Sequence, residues 1–587
     1  MKKILSILAL LFFIAFGSHL VCAHTDKDKA EKDNQVDNVD TPKYDLNYSI
    51  ADQYKLLRLS QFLSHQYLQP LFLFHGLKLN TLLLSDDFNF QPPRPKKRLG
   101  RATLFGLGHM LYATASYWIR QDVMKEDWEY QFTWEDQKKR FLFIDGPRFD
   151  SNTFTFNWTH SLAGAMYYNY GRANRLNPLE SLLFSFGVSY FWEFVVEFKE
   201  VVSINDVIST PMGGPSIGEA MFQLGRYFRS RSPNIFNRLL RILSNPVMSM
   251  NDWLDRKRIK NQYGFDEDYW HDCRLFAGPR VETLSGYDSN TLFYLGMENQ
   301  LVIIPEYGMP GVSSMRVNKP LFVEYNLGAS IGKKGIYEFE IFAKSVFFGY
   351  FSQNIRTDDT DALDDTVSGV LDDIDNDDRV GYSFFLGAAT AFDVIRRDPL
   401  KLPGYEEELG ISELPDREDK YCIINLFGPT FDLSLFHKNL KVRLVADAYG
   451  DFALIHSHAF KKYSQLYDFG QTKSTLENHG YYYALGVTLS SMLQVNYSNL
   501  ELRGKLKYHY FDSIEGMDRF QKDVADEDDF GLKDQRLSYN LSLGYRIPNT
   551  ALQLVLGLEQ MKRWGSIEDF SQRSTEKRSY FQIKYMF

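Results

Sequence analysis

The chain has 587 residues, of which 44% are hydrophobic, and a formal net charge of −9. This length allows two or three domains with a sizeable core, and the acidic balance argues against a nucleic-acid surface, which needs a basic stripe. With 3 cysteines in all, the chain is not a disulfide scaffold. Aromatic residues reach 16%, which is the first indication of a membrane interface, where amphipathic rings settle at headgroup level.

The N-terminus has the features of an export signal. A basic start is followed by an apolar stretch from Ile4 to Phe16 and by a small-residue site that ends at Ala23. We therefore predict a signal peptide over residues 1–23, with a lipoprotein site at Cys22 as the alternative. Residues 24–43 are polar, charged and free of aromatic residues, so we predict a disordered linker there.

The period of the apolar pattern changes once along the chain. Segments such as "RATLFGLGHMLYATASYWIR" and "PLESLLFSFGVSYFWEFVVEFKE" place apolar residues at helical spacing. From about Cys273 onward the period becomes two, as in strands with one apolar and one polar face. We therefore predict a mixed fold, with an N-terminal α-helical module over 44–269 and an antiparallel transmembrane β-barrel over 270–587.

The alternation is clearest near the C-terminus. Long strand-like segments are separated by short turns in some places and by long polar loops in others, an asymmetry typical of outer-membrane barrels, and we predict about twelve strands. The last residues, "SYFQIKYMF", resemble the closing-strand signal that the barrel-assembly machinery of Gram-negative bacteria reads. The apolar members of the two preceding strands are Leu537, Tyr539, Leu541, Leu543, Tyr545, Leu552, Leu554, Leu556 and Leu558.

One acidic loop does not fit the simplest strand count. Counting back from Phe587, short turns and long loops alternate as far as the turn near His437. The loop from Thr357 to Arg379 then falls on the side of the short turns. Either this loop is periplasmic, or the count is wrong by one strand.

The stretch "WEFVVEFKE" places Glu193 and Glu197 inside an apolar helix. The apolar run from Leu182 to Val196 is shorter than the roughly twenty residues needed to span hydrocarbon. A true transmembrane helix would stop an exported protein in the inner membrane. The two carboxylates are therefore expected to keep this segment out of the inner membrane.

A second interpretation is a polar cluster of His160, Arg172, Glu193, Glu197 and Asp206. The first two lie on one slowly drifting helix face and could meet the carboxylates of a neighbouring helix. Such a set could be catalytic, it could hold a metal through His160, Glu193 and Glu197, or it could be a paired structural network. We favour the structural network, in which replacing both glutamates by Gln would cost stability, and we predict no cofactor.

The block that contains "AGAMYYNYGR", "WEFVVE" and "SINDVISTPMGG" resembles a bacterial domain family of unknown function found in exported proteins of Gram-negative species. The resemblance is close over residues 95–265. It implies an envelope protein but no activity, because the family has none to transfer.

Together these features predict an outer-membrane protein with a periplasmic or membrane-surface helical module. We expect a passage, lipid-binding or envelope-structural role, with Arg443, Arg503, Lys505 and Glu559 inside the barrel. The expected partners are outer-membrane lipid and, during biogenesis, the barrel-assembly machinery. The alternative is an envelope enzyme that acts on lipid or glycan through the polar cluster, an alternative that we consider weaker because no catalytic signature accompanies it.

Overall fold

The structure is a computed structural model, and it describes most of the chain after residue 95. The described residues are 96–124, 130–142, 146–231, 234–255, 270–284, 289–304, 306–333, 335–357, 378–397, 418–467, 473–519 and 530–586. The predicted signal peptide, the predicted linker and the terminal Phe587 lie outside them.

Helices occupy the first part of the described chain, and polar side chains cap several of their N-termini. Asn177 and Glu180 form a capping box around Pro178, and the Ser203 side chain accepts a hydrogen bond from the backbone N–H of Asp206 at the start of α5. The helices are α1 (Leu99–Met124), α2 (Trp134–Phe141), α3 (Phe154–Ala173), α4 (Pro178–Phe191), α5 (Ile204–Gly213), α6 (Glu219–Ser230), α7 (Ile235–Ser244) and α8 (Pro246–Leu254). Two π-helical turns, Trp192–Val196 and Gly214–Gly218, follow α4 and α5.

The second part of the chain is a closed antiparallel β-barrel, as predicted. The strands are β1 (Trp270–Leu284), β2 (Asn290–Val302), β3 (Gly311–Val317), β4 (Phe322–Gly332), β5 (Gly335–Thr357), β6 (Arg379–Arg397), β7 (Asp419–His437), β8 (Leu440–His456), β9 (Tyr481–Tyr497), β10 (Leu500–Ser513), β11 (Leu532–Arg546), β12 (Leu552–Ile567) and β13 (Phe570–Met586). β13 pairs with β1, and β5 pairs with β6, so the ring closes. The short β3 pairs only with β5, beyond the point where β4 ends, so the ring itself has 12 strands out of 13.

Successive side chains on each strand point alternately to the outside of the barrel and to its polar interior. On β11, Leu541 points outward and is 54% exposed, whereas its neighbour Ser542 points inward and is 9% exposed. Toward the turn end, the outward set on β10 to β13 is apolar, and Tyr545 and Tyr585 flank it at one edge. This belt of apolar residues with flanking aromatics is the pattern of outer-membrane barrels.

The barrel has two distinguishable ends, which we call the turn end and the loop end. The turn end carries the tight connections β7–β8, β9–β10 and β11–β12 together with Met586. The opposite loop end carries the long connections β6–β7, β8–β9 and β10–β11 and also two tight connections, β4–β5 and β12–β13. Thr357 pairs with Arg379, and Val380 pairs with His437 at the β7–β8 turn, so the acidic loop also leaves from the turn end. This placement agrees with the strand count from the sequence, in which the loop falls on the side of the short turns.

Two short helices belong to the loop end of the barrel. The connection between β8 and β9 contains α9 (Phe460–Leu466) and α10 (Ser474–His479). Phe460 and Leu476 from these helices pack against Ile455 and Phe511, which point into the barrel, and against Leu532 of β11. An apolar cluster therefore fills part of the barrel interior at its loop end.

The helical module packs against the outer wall of the barrel. On β5, Glu340 and Phe342 line the interior, so Ile341 and Ala343 point outward, yet both are buried. Trp158 of α3 contacts the ring of the outward Phe339. The same burial of outward residues continues across neighbouring strands, at Phe392, Val394, Cys422, Ile424, Phe452, Leu454, Tyr481 and Tyr483.

The helices run along this wall between the two ends of the barrel. The hydroxyl of Thr155, at the start of α3, accepts a hydrogen bond from Arg396 Nη1 at 3.1 Å, near the loop end. The side chain of Gln223 in α6 donates to the carbonyl oxygen of Pro320 at 3.4 Å, at the turn end. α3 and α5 approach very closely, because a Cβ atom at Gly164 would lie 1.4 Å from the carbonyl oxygen of Thr210. Only glycine fits at this crossing.

Candidate functional site

Four of the five predicted cluster residues lie at the loop end of the helical module, together with two carboxylates that were not predicted. Glu193 belongs to the π-helical turn after α4 and is 1% exposed, and Glu197 follows that turn. Asp206 lies in the first turn of α5. Asp150 and Glu200 complete a group that we call the carboxylate cluster, defined by Asp150, Glu193, Glu197, Glu200 and Asp206.

Glu193 and Glu197, the two glutamates inside the apolar segment, have few direct partners. Glu193 Oε2 accepts a hydrogen bond from the backbone N–H of Ser203 at 3.1 Å, and Glu197 Oε1 accepts one from the indole N–H of Trp192 at 2.8 Å. In the part of the chain that the structure describes, neither glutamate forms an ion pair. The paired network that we favoured from the sequence therefore lacks its predicted contacts.

His160 is the predicted residue that reaches the cluster. Its Nδ1 atom lies 3.6 Å from Asp206 Oδ1 and 3.0 Å from the carbonyl oxygen of Phe156. Asp206 Oδ1 also accepts a hydrogen bond from the Asn205 side chain at 2.9 Å. Asn205 in turn accepts the backbone N–H of Asp150 at 2.9 Å, so these groups form one connected set.

Arg172 is separate from the cluster, which corrects the sequence prediction. Its guanidinium makes a bidentate ion pair with Glu219 on α6, with Nε–Oε2 and Nη2–Oε1 distances of 2.7 and 3.0 Å. Tyr168 and Gln223 donate to the same carboxylate at 2.7 and 2.5 Å. Glu219, the partner of Arg172, is fully buried. It begins α6, which follows the "WEFVVE" segment only after α5 and the second π-helical turn. Spacing along α3 could not identify that partner.

The cluster faces two arginines that the sequence did not reveal. Arg140 of α2 donates to the backbone carbonyl oxygens of Glu193, Phe194 and Glu200. Arg519, from the β10–β11 connection of the barrel, lies 3.0 Å from a carboxylate oxygen of Glu200 and 3.9 Å from one of Asp150. No local pattern marks Arg519, because it comes from the other half of the chain.

Burial and mutual repulsion change the acidity of the cluster. Burial, reinforced by the Asp206 carboxylate, raises the pKa of Asp150 to about 6. Burial, reinforced by the Glu200 carboxylate, raises the pKa of Glu197 well above its usual range. Perturbed groups of this kind occur both at functional sites and in structural networks. Within the described ranges, no group of three or more His, Cys, Asp or Glu side chains is arranged to hold a metal ion.

The interior of the barrel is the second candidate site, and ion pairs cross it from wall to wall. Arg274 of β1 lies 3.1 Å from Glu501 of β10, and Arg503 of β10 lies 3.4 Å from Glu298 of β2. Arg443 of β8 donates to the side-chain oxygen of Gln300 on β2 at 2.7 Å. These strands are not neighbours, so the contacts span the lumen.

A second charged layer lies nearer the loop end. Glu338 of β5 accepts from Arg280, Arg397 and Arg578 at 2.5, 2.6 and 3.1 Å, and it is 1% exposed. Arg397 also pairs with Glu576 of β13 at 2.5 Å. One carboxylate therefore links β1, β5, β6 and β13 across the interior.

A chamber of about 380 Å³ lies along this interior. The residues that we predicted inside the barrel, Arg443, Arg503, Lys505 and Glu559, all line it. Lys505 is exposed in this chamber and forms no ion pair within the described chain. Toward the turn end, Tyr307 packs against Phe322 and Phe351, with Phe385 in the same apolar cluster. Apolar clusters therefore lie near both ends of a charged chamber.

The fold and the interior define the class of protein. A closed antiparallel ring of 12 strands with an apolar outside and a charged inside is a β-barrel of the outer-membrane type. A family model described as a domain of unknown function, DUF3943, matches residues 146–248, in agreement with the resemblance seen in the sequence. That match includes the whole carboxylate cluster and covers a minor part of the chain.

Comparison of structures finds bacterial barrels at very low similarity. The KdgM porin is 8% identical with a TM-score of 0.17, over 54% of this chain and 99% of that one. The outer membrane protein OmpT of Vibrio cholerae is 10% identical with a TM-score of 0.17, over 55% and 100% of the two chains. OprB of Pseudomonas putida is 10% identical with a TM-score of 0.19, over 57% and 97%. No curated protein matches the sequence.

Proposed function

We propose that the protein is an outer-membrane barrel that provides a narrow passage for small polar solutes. The observation that carries the proposal is the charge-lined chamber of about 380 Å³ enclosed by strands whose outer face is apolar. Its volume falls in the range of small-molecule sites, and its lining carries side chains of both charges. A solute with polar groups of either sign would find partners inside.

The proposal includes an orientation. The turn end would face the periplasm, because bacterial barrels carry their longer loops on the outside and the long connections β6–β7, β8–β9 and β10–β11 all leave from the opposite end. The outward Phe581, Ile583 and Tyr585 of β13 would serve as the signal for the barrel-assembly machinery. The acidic loop that leaves from Thr357 would then also be periplasmic. The apolar clusters would make the passage tight, so opening would require movement of the segment around Tyr307 or of α9 and α10.

Ion selectivity in planar bilayers tests this proposal. Lys505→Glu reverses an unpaired charge inside the chamber, so it should shift the reversal potential in a salt gradient toward cation selectivity. Lys577→Glu makes the same change on the outer face of β13, where the side chain is exposed, and should leave selectivity unchanged. Purified protein without conductance or solute flux above the lipid background would contradict the passage. Equal shifts in the two variants would show that the chamber does not control permeation.

A further inference from the structure

The outer layer of the helical module presents an apolar surface that no described residue covers. α3, α5 and α6 pack against the barrel, whereas α1 and α4 lie further out. Leu104, Leu111 and Ile119 of α1 are 69%, 72% and 73% exposed, and Leu183 of α4 is 61% exposed. A contiguous apolar surface of this kind marks an interaction site.

The α4 segment matches the hydrophobic thickness of a bilayer, and α1 is longer than that thickness. α1 has 26 residues, and α4 with its π-helical turn forms an apolar segment of 19 residues, Pro178–Val196. At roughly 1.5 Å per residue, these lengths correspond to about 39 and 28 Å, against a hydrocarbon core of about 30 Å. Within the described chain, Pro178–Val196 is the one helical segment long and apolar enough to cross a membrane, and 28% of its best window is buried. Most of that segment is therefore available to another partner.

The module and the lipid-facing belt of the barrel form one continuous surface. On β9, the outward Tyr481 and Tyr483 are buried under α3, and the next outward residues, Leu485 and Val487, are exposed. α1 begins at the turn end of the module, where Arg98 pairs with Asp255 after α8. The apolar side chains of α1 and α4 therefore lie beside the wall at the height of the belt.

α7 adds charge to this surface at the turn end. It follows α6, and the guanidinium of Arg231 at the end of α6 lies 3.0 Å from a ring nitrogen of His271 on β1. In α7, Ile235 is 83% exposed, Phe236, Leu239 and Leu243 are also exposed, and no residue is fully buried. Arg238 forms no ion pair within the described residues. A short amphipathic helix with exposed apolar residues and arginine is suited to a membrane interface.

We propose that the outer layer of the module is a phospholipid-binding surface. Acyl chains would cover α1 and α4, and a lipid phosphodiester would bind Arg238 of α7, because guanidinium groups match phosphate oxygens in charge and geometry. The inference rests on the proposed function in one respect, that the barrel lies in a membrane. It places the module inside the membrane along the wall instead of in the periplasm.

Lipid quenching of single fluorophores tests where the module lies. The full chain carrying Cys22→Ser is reconstituted in vesicles of phosphatidylethanolamine and phosphatidylglycerol with brominated acyl chains; the buried Cys273 and Cys422 stay unlabelled. An environment-sensitive dye is attached at Leu111→Cys, Leu506→Cys or Lys505→Cys. Leu506 points outward on β10 and reports on the barrel, and Lys505 points inward and is the matched control.

We expect quenching at position 111 to equal that at position 506 and to exceed that at position 505 several-fold. Quenching at 506 without quenching at 111 would overturn the inference and leave the proposed barrel intact. Residues 1–95 of this chain or a second copy would then be the occupant, which truncation or cross-linking would identify. Absence of quenching at 506 would overturn the proposed membrane location and the inference with it.

The phosphate contact has its own measurement. Phospholipid that remains bound after detergent washing is counted by native mass spectrometry for the full chain, for Arg238→Gln and for Lys461→Gln. Lys461 is an exposed cation on α9 at the loop end and serves as the control. Arg238→Gln should lose bound lipid several-fold, and Lys461→Gln should not. Equal retention in all three proteins would overturn the role of Arg238.

Discussion

Replacing Glu219 by Gln tests the energetics of the helical module most directly. The two carboxylate oxygens of Glu219 accept four hydrogen bonds: two from Arg172, one from Tyr168 and one from Gln223. A glutamine at position 219 must turn its NH₂ group toward one N–H donor of Arg172 whichever way the amide is oriented, because guanidinium has no acceptor. The substitution therefore removes the charge and sets donors against each other in a fully buried site.

The expected cost follows from the burial of Arg172 and Glu219. Breaking a buried ion pair by removing one partner costs about 3 to 5 kcal/mol, because the other charge stays buried without compensation. Glu180→Gln is the matched control, since Glu180 pairs with Lys97 at 2.5 Å but with partly exposed side chains. An exposed pair of this kind contributes about 0 to 1 kcal/mol, and Gln preserves the capping box.

Guanidinium titration of the protein in detergent micelles measures both variants. We expect a clear fall in the free energy of unfolding for Glu219→Gln and almost none for Glu180→Gln. The difference in migration between unheated and heated samples on a denaturing gel reports separately on the barrel. The barrel should be intact in both proteins. Equal unfolding free energies for the two variants would refute the reasoning, because burial would then have no effect on the strength of the pair.

Three further expectations concern the barrel wall, the helix crossing and pH. Leu541→Arg should cost roughly 2 to 4 kcal/mol of unfolding free energy in vesicles if it lies near the bilayer midplane, whereas Ser542→Arg should cost less; equal losses would mean that no lipid-facing side exists. Gly164→Val should cost about 1 to 3 kcal/mol or more by overlap with the facing helix, and Gly108→Val, which has open space, should be nearly silent in the same titration. The folded-state pKa of Asp150, about 6, exceeds the ordinary value of 3.8, so Asp150 binds more protons in the folded state, and the free energy of unfolding should fall as pH rises from about 4 to 6. Asp150→Asn should flatten this slope in unfolding titrations across that pH range. An unchanged slope would contradict the assignment.

The barrel could be predicted from sequence because its physics is local. Each strand alternates with a period of two, and Leu541 beside Ser542 already indicates which side faces lipid. The position of the module could not be predicted in the same way. An outward residue such as Ile341 or Val394 is apolar whether lipid or a helix covers it, so alternation cannot distinguish the two environments.

For a similar reason, only the local features of the candidate site could be predicted from the sequence. The cap at the start of α5 is local, because the Ser203 side chain accepts the backbone N–H of Asp206 only three residues further on. The pairing of Arg172 with Glu219, 47 positions away, depends on how helices cross, and helical spacing gives only the face on which a residue lies. Arg519 is further from the module in sequence, and only closure of the barrel brings it to Glu200.

The two carboxylates in the apolar helix now give a different expectation from the one that sequence alone supports. Glu193 and Glu197 form no ion pair in the described chain, and the buried Arg140 that faces them donates to backbone carbonyl oxygens, which replacement of both glutamates by Gln retains. Gln at position 193 can still accept the backbone N–H of Ser203. We therefore expect the Gln pair to keep its unfolding free energy, contrary to the structural network that the sequence favoured.

The corresponding Leu pair distinguishes sorting from chemistry. Leu at position 193 leaves the Ser203 N–H unsatisfied, which costs about 1 to 3 kcal/mol, and it extends a segment already long and apolar enough to span a membrane. If the carboxylates act in sorting, the Leu pair should accumulate in the inner membrane, and the Gln pair should reach the outer membrane. Membrane fractionation measures this distribution. A Gln pair that folds and localises normally but reproduces the deletion phenotype would assign chemistry to the cluster, because only the loss of ionisable groups separates that variant from the native chain.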